Sequence, residues 1–408
     1  MTRPPLDIAF VVLHTSPLDE PGTKDAGGMN VVVRAQAEEL ARLGHHVRLF
    51  TRRSAPDQPD EVELAPRLSV IHLDAGPARL LAKGEHEALV PAFGDALEAR
   101  LAERPADIVH AEHWYSGLAA LSAARRLGVP LVQSYHSIAA DASTPLTEGE
   151  RPEAPGRLEG ERRLAREVAL VVTVSEAERA TVLGRLGGDP ARVAVVHPGV
   201  DTRVFRPCTG DECVERSEWI AHGGRHEVLV AGRLDPLKGF DHAIAAIAAI
   251  PDDRRPMLRI VGAQPPDGDA YARSLHEAVA AAGMLATTSF DGALLRTALA
   301  ERMRRASLVL VPSHSETFGL VALEAAASGV PVIARAMGGL REAVIDGETG
   351  VLLESDEPTV WAAEIERILG DGELDSRLGA AAREFALRHS WEASTLELLT
   401  AYRALLAG

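Results

Sequence analysis

Short runs of Val, Ile and Leu recur along this chain with stretches of helical periodicity between them, and that alternation most restricts how it can fold. Parallel strands need a long crossover, usually a helix, so the pattern predicts an α/β protein built on doubly wound parallel sheets. Two series appear. The first comprises DIAFVVL (Asp7–Leu13), HVRLFT (His46–Thr51), SVIHL (Ser69–Leu73), DIVHAE (Asp107–Glu112), PLVQSYH (Pro130–His136), ALVVTVS (Ala169–Ser175) and RVAVVHPG (Arg192–Gly199). The second comprises EVLVAGR (Glu227–Arg233), MLRIVG (Met257–Gly262), TSFDG (Thr288–Gly292), LVLVPS (Leu308–Ser313), PVIARA (Pro331–Ala336) and GVLLE (Gly350–Glu354). Helix-like segments include Val31–Leu43, Gly117–Leu127 and Glu176–Leu186. A polar, weakly periodic stretch near residues 199–226 separates the series and predicts two domains, 1–200 and 201–389. Ligands of doubly wound sheets lie beyond the carboxyl ends of the strands, so two facing Rossmann-like domains are expected to enclose one central cleft.

A chain of 408 residues exceeds what one core usually supports, and 46% apolar with 25% charged residues is an ordinary soluble composition. The net charge of -16 opposes a phosphodiester backbone or an anionic membrane surface, so neither nucleic acid nor membrane is an expected partner. No apolar run is long enough to span a bilayer, and the N-terminal apolar stretch reads as a strand, which predicts a cytoplasmic protein. Cys208 and Cys213 flank TGDE and are expected to be free thiols in a reducing compartment, with no pattern that completes a metal site.

The segment VPSHSETFGLVALEAAASGVPVIA places Glu316 at a strand-to-helix turn and Glu324 eight positions on. On one continuous helix these would stand roughly 12 Å apart with about 80° of rotation. That separation suits a nucleotide sugar along the helix, Glu324 accepting from ribose hydroxyls and Glu316 from sugar hydroxyls, with backbone N–H groups of 317–320 on a diphosphate. Taken alone, the pair also fits a capping carboxylate and a solvated glutamate. AGRLDPLKG places Arg233 and Lys238 after the first strand of the second domain, where two cations could neutralise a departing diphosphate or simply be solvated. In the first domain, Gly27 and Gly28 open a helix and permit close approach of a ligand, and Asn30 could bind a phosphate or hydroxyl or cap its own helix. His136 and Ser137 follow a strand's carboxyl end; Lys83, His113 and Arg157 are further candidate anion ligands.

Together these residues resemble the retaining glycosyltransferases of family 4, which have the GT-B fold. The likeness rests on the Glu316/Glu324 pair, GRLDPLKG and HPGVD (His197–Asp201), and it runs over essentially the whole chain. HSWE (His389–Glu392) and the following helix are similar to the family's tail, which implies that residues 390–408 cross back onto the first domain. The string HTSPLDEPGTKDAGGMNVVV is similar to that of the branch moving N-acetylglucosamine from its UDP conjugate to inositol phosphate in mycothiol biosynthesis. By that resemblance Gly28, Arg233, Lys238, Glu316 and Glu324 hold the donor, and His14, Asn30, Lys83, His113, Ser137 and Arg157 form the acceptor site. Three places depart from the branch, one being the loop KGEHEAL, which keeps only Lys83 of the branch's KYDLP pattern. HAEHWYSG replaces HSHYWLSG, which puts His113 where the branch has tyrosine, and Ser137 stands for threonine.

The resemblance implies retention by front-face displacement, with Arg233, Lys238 and Glu316 at the leaving diphosphate and His136 orienting the sugar. It implies no metal or other cofactor beyond the nucleotide sugar, and a possible homodimer. Two other readings fit the same motifs. One is a glycosyltransferase of a secondary-metabolite pathway acting on an aminocyclitol or thiol-bearing acceptor; the other is a non-catalytic nucleotide-sugar-binding protein.

Overall fold

The computed structural model describes residues 4–20, 27–212, 214, 218–219, 222–264 and 269–407. The chain divides into two compact units, one of Met1–Glu20, Asp25–His197 and Trp391–Gly408, the other of Pro21–Lys24 and Pro198–Ser390.

In the first unit the strands are β1 (Asp7–Val12), β2 (His46–Arg52), β3 (Glu61–Ala65), β4 (Leu68–Leu73), β5 (Ile108–Glu112), β6 (Leu131–Ser134), β7 (Leu170–Thr173) and β8 (Val193–Val195). They form one sheet of order β3-β4-β2-β1-β5-β6-β7-β8. Every pairing is parallel except β3 with β4. The edge strand β3 has no counterpart in the apolar runs: it is EVELA, with two of five residues charged and none buried, so only its backbone pairing marks it as a strand.

β1 sits mid-sheet and is buried on both faces. Ile8, Phe10 and Val12 point to one face, which the helix Gly28–Arg42 and the C-terminal helix Trp391–Ala407 cover. Ala9, Val11 and Leu13 point to the other, under the helices Val90–Glu103 and His113–Leu127. This two-sided burial is why the strand reads as a continuous apolar run. The C-terminal helix is tied into this unit by Tyr402, whose hydroxyl lies 2.5 Å from Nδ1 of the buried His110.

The second unit has β9 (Glu227–Ala231), β10 (Met257–Val261), β11 (Thr288–Gly292), β12 (Leu308–Val311), β13 (Val332–Arg335) and β14 (Val351–Leu353). They form an all-parallel sheet of order β11-β10-β9-β12-β13-β14. Val228 and Val230 of β9 lie in a core with Phe240, Ile244 and Ile247 of the helix Phe240–Ala248 and Trp361, Ile365 and Ile368 of Pro358–Leu369. The strand order reverses at β9, between β10 and β12, so the loops that follow β9 and β12 lie side by side at the carboxyl edge.

Three expectations shift. The helix predicted from Gly117 begins at His113, and the one predicted over Glu176–Leu186 is α-helical only to Thr181, then widens to a π turn over Val182–Leu186. Cys208 is disulfide-bonded, so it is not the free thiol expected; Cys213 lies outside the described residues. Among the described residues, no helix is long and apolar enough to cross a membrane.

Candidate active site

In the second unit, Asp235 caps the single 3-10 turn Pro236–Lys238 by accepting from the Leu237 N–H at 2.9 Å. Gly239 then takes φ +66°, and a Cβ there would stand 2.3 Å from the Pro312 carbonyl oxygen, so only glycine lets the β9 loop lie against the end of β12. Two bonds close the junction. The His314 N–H donates to the Leu237 carbonyl at 2.7 Å, and Lys238 Nζ donates to Glu316 Oε2 at 2.7 Å. Ser313 Oγ lies 3.4 Å from the same carboxylate oxygen.

Glu316 does not begin the following helix. Gly319, at φ +111°, is the N-cap and the helix is Leu320–Ala327. The separation expected for one continuous helix from Glu316 to Glu324 therefore does not apply, because a left-handed glycine re-aims the chain between them. The turn before it is pressed against Gly339, where a Cβ would meet the Thr317 carbonyl oxygen at 2.1 Å; the Gly339 N–H donates to the Glu316 carbonyl at 3.0 Å.

Glu324 is buried at 5% exposure rather than solvated. Its Oε1 pairs with Arg296 Nη1 at 2.8 Å; burial holds its pKa above the ordinary carboxyl value while Arg296 pulls it down. Arg233 is half-buried beside this junction in sequence and makes no ion pair among the described residues. His314 accepts from Arg335 Nη1 at 2.7 Å, and burial together with that guanidinium keeps the imidazole neutral. Arg335 also pairs with Asp356.

In the first unit the candidate residues follow β1, β5 and β6, which are neighbours in the sheet. His113 (φ +70°) and His136 (φ +60°) both sit in the left-handed region just past β5 and β6. Such a conformation costs a non-glycine residue on the order of 1–3 kcal/mol, and residues held in it gather at functional sites. His136 Nε2 lies 2.5 Å from Glu112 Oε2, and Glu112 is itself 1% exposed. Burial alone would lower the His136 pKa; the Glu112 carboxylate outweighs it, and the net direction is up. Glu178, on the helix Glu176–Thr181, adds to that field; burial raises its own pKa to about 7, although its Oε2 accepts from the Val174 N–H at 2.7 Å.

Arg157 is fully buried and saturated. It donates to Glu161 at 2.8 Å, Glu153 at 2.5 Å, Glu150 at 3.2 Å and Ser137 Oγ at 2.9 Å. Lys83 Nζ donates to the other oxygen of Glu150 at 2.8 Å. So Lys83, Ser137 and Arg157 do come together, about a set of carboxylates.

The rings of His14 and His113 lie against each other, tilted by 39° with centroids 4.3 Å apart. Burial first, then the nearby cations and imidazoles, hold both well below the ordinary histidine pKa, so both rings are neutral. His14 Nδ1 and both ring nitrogens of His113 are buried without a hydrogen-bond partner. Asn30 instead faces inward: Thr15 Oγ1 donates to its Oδ1 at 3.1 Å and its Nδ2 donates to the Ser16 carbonyl at 2.9 Å, fixing the β1 loop to the helix. Gly28 is the first residue of that helix, behind Gly27 as N-cap.

Sequence reasoning passed over Glu112, Glu150, Glu153, Glu161 and Arg296. Each pairs with a candidate residue. Glu161 was within reach, four positions past Arg157 on one helix face; the Glu112 to His136 and Lys83 to Glu150 pairs are set by tertiary structure.

Comparison with known proteins places this arrangement. Residues 27–199 match the model of the glycosyl transferase 4-like domain and residues 214–385 that of glycosyl transferases group 1. The chain is 39% identical to the D-inositol 3-phosphate glycosyltransferase of Kineococcus radiotolerans, over 97% of this chain and 94% of that one. Among solved structures, sucrose-phosphate synthase from Thermosynechococcus elongatus superposes with a TM-score of 0.88 at 31% identity, covering 98% of this chain and 99% of that one. Anabaena HepE, solved with UDP and glucose, shares the fold at a TM-score of 0.76 and 20% identity, over 98% of this chain and all of that one (100%).

Proposed function

The chain belongs to the family 4 glycosyltransferases of GT-B fold, and on that premise we propose that it transfers a hexosyl group, with retention, from a nucleoside diphosphate sugar to a small polyol. UDP-N-acetylglucosamine is the proposed donor and D-inositol 3-phosphate the proposed acceptor, the latter supported by the name its relatives carry. The observation that carries the reading is the junction after β9 and β12. It presents Lys238 bonded to Glu316, the half-buried Arg233 and close-packed glycine turns at the carboxyl edge of one sheet.

Arg233 and Lys238 neutralise the charge that grows on the departing diphosphate, so they act most strongly in the transition state. Glu316 accepts from hydroxyls of the transferred sugar and Glu324 from the ribose. The acceptor oxygen attacks the anomeric carbon from the face that the diphosphate leaves. The carbon–oxygen bond to the diphosphate breaks, the glycosidic bond forms on that face, and the acceptor's proton passes to a diphosphate oxygen. His136, held by Glu112, orients the sugar.

The test is a donor and acceptor matrix followed by mass spectrometry, with the anomeric configuration read by NMR. Expected is an α-linked product with equimolar UDP. Donor affinity without either product or free UDP would overturn the enzymatic reading in favour of a binding protein.

A further inference from the structure

We propose that Glu150 is a built-in counter-anion of the acceptor site, bridging Lys83 and Arg157 until the phosphate of an incoming acceptor displaces it, so that it sets which anions the site admits. The proposal deepens the functional reading above and rests on it for the acceptor's class.

Two buried or half-buried cations side by side demand compensation, and three carboxylates supply it. They are not equivalent. Glu161 is fully buried and also accepts from the Ala139 N–H at 3.1 and 3.2 Å; Glu153 also accepts from the Trp114 indole N–H at 2.9 Å. Both pair only with Arg157 among the two cations.

Glu150 alone spans both, one oxygen on Lys83 at 2.8 Å and the other on Arg157 at 3.2 Å, as two oxygens of a phosphate would. Its backbone is fixed by the bridge to Ala139 and by its carbonyl, which accepts from the Ala140 N–H at 2.9 Å. Its side chain is the most exposed of the three, at 17%.

A second observation points to a ligand here. His113 is 3% exposed with neither ring nitrogen bonded, and His14, its ring tilted against it, has its buried Nδ1 unbonded. Unpaired buried donors are costly, and two neutral imidazoles can each give one N–H to a phosphate oxygen. With Glu150 turned away, Lys83 loses its carboxylate and Arg157 one of its three, so an anion that meets both cations is favoured over an uncharged acceptor.

The experiment measures kinetics with D-inositol 3-phosphate and with unphosphorylated inositol, and calorimetric binding of inorganic phosphate. It is run on wild type, Glu150→Gln and Glu150→Asp, with thermal unfolding and UDP affinity confirming that each variant is folded. Expected for Glu150→Gln is a KM for the phosphorylated acceptor, and a Kd for inorganic phosphate, lowered about tenfold, with kcat little moved. Glu150→Asp, which keeps the charge on a shorter side chain, should lower both values by less than Glu150→Gln does.

An unchanged or raised KM and Kd in folded Glu150→Gln would overturn the proposal. So would transfer to inositol alone by wild type and Glu150→Gln alike. Should no acceptor yield product, the functional reading fails, and the phosphate titration still decides: tighter binding to Glu150→Gln upholds the counter-anion role, equal or weaker binding overturns it.

Discussion

The charged clusters of the two units are built on opposite plans. In the second unit, Lys238 has one carboxylate and Arg233 none among the described residues, and the cluster is shaped by backbone: glycines at 239, 319 and 339 that admit neighbouring carbonyls or side chains at distances no Cβ would tolerate. In the first unit, Arg157 alone carries three carboxylates and every bond is between side chains or from a side chain to a distant loop. A cluster with spare positive charge and a fixed backbone is the plan that the proposed diphosphate donor calls for. A cluster that neutralises itself must exchange a partner to bind an anion, so its charges serve stability first.

The largest effect should therefore come from the neutral cluster. Arg157→Ala leaves Glu150, Glu153 and Glu161 facing one another with no central cation, and loss of one partner from a buried ionic group costs about 3–5 kcal/mol. Denaturant unfolding should register it. The same deletion in the second unit, Lys238→Ala, should cost under about 1 kcal/mol of stability, since that pair is partly exposed. If both variants lose equal stability, the contrast between the plans fails.

Turnover should rank the two units the other way. On the proposed function, Lys238→Ala and Glu316→Ala are each expected to lower kcat/KM at least about a hundredfold with the fold intact, because that reading sets the bonded pair against the departing diphosphate and the transferred sugar. Steady-state kinetics beside circular dichroism checks this; near-normal turnover in both removes the second unit's cluster from the chemistry. A smaller effect tests the backbone plan itself. Gly339→Ala suits the backbone angles, yet its Cβ would stand 2.1 Å from the Thr317 oxygen, so the Glu316 turn must shift and UDP affinity should fall about tenfold. Calorimetry with UDP would sink the idea if affinity held.

The same contrast explains what the sequence made legible. Backbone-built features are local, so they leave signatures: the apolar runs mark the buried strands, and GRLDPLKG with SETFG marks the junction. The edge strand β3 escaped because one exposed face gives no apolar run. The geometry between Glu316 and Glu324 escaped because a single left-handed glycine, not helical periodicity, sets it. Partners such as Glu150 for Lys83, 67 positions apart, are chosen by tertiary packing, and nothing in their local spacing announces them.

The smallest expected effect isolates one such tertiary pair. His136 has its pKa raised by Glu112, so folding favours its protonated form. That contribution is complete below the unfolded value of about 6.5 and is lost as pH rises through the folded one. Glu178, raised to about 7, and Glu161, also raised to about 7, act in the same direction: their protonated forms are favoured by folding, and that stability fades as pH climbs from the ordinary carboxyl range through neutrality. His14, His113 and His314, whose pKa values are lowered, contribute with the opposite sign, so the test is the difference between wild type and Glu112→Gln and not the wild-type slope. In Glu112→Gln the carboxylate that raised His136 is gone while burial remains, so its pKa drops and its contribution reverses sign; Glu161 and Glu178 still titrate. The wild type should then exceed Glu112→Gln by about 1 kcal/mol more at the acid end than at the alkaline end. A constant difference across the range would mean that Glu112 supports His136 by packing alone, and that this pair belongs with the neutral, stability-serving charges of its unit rather than with the donor-facing ones.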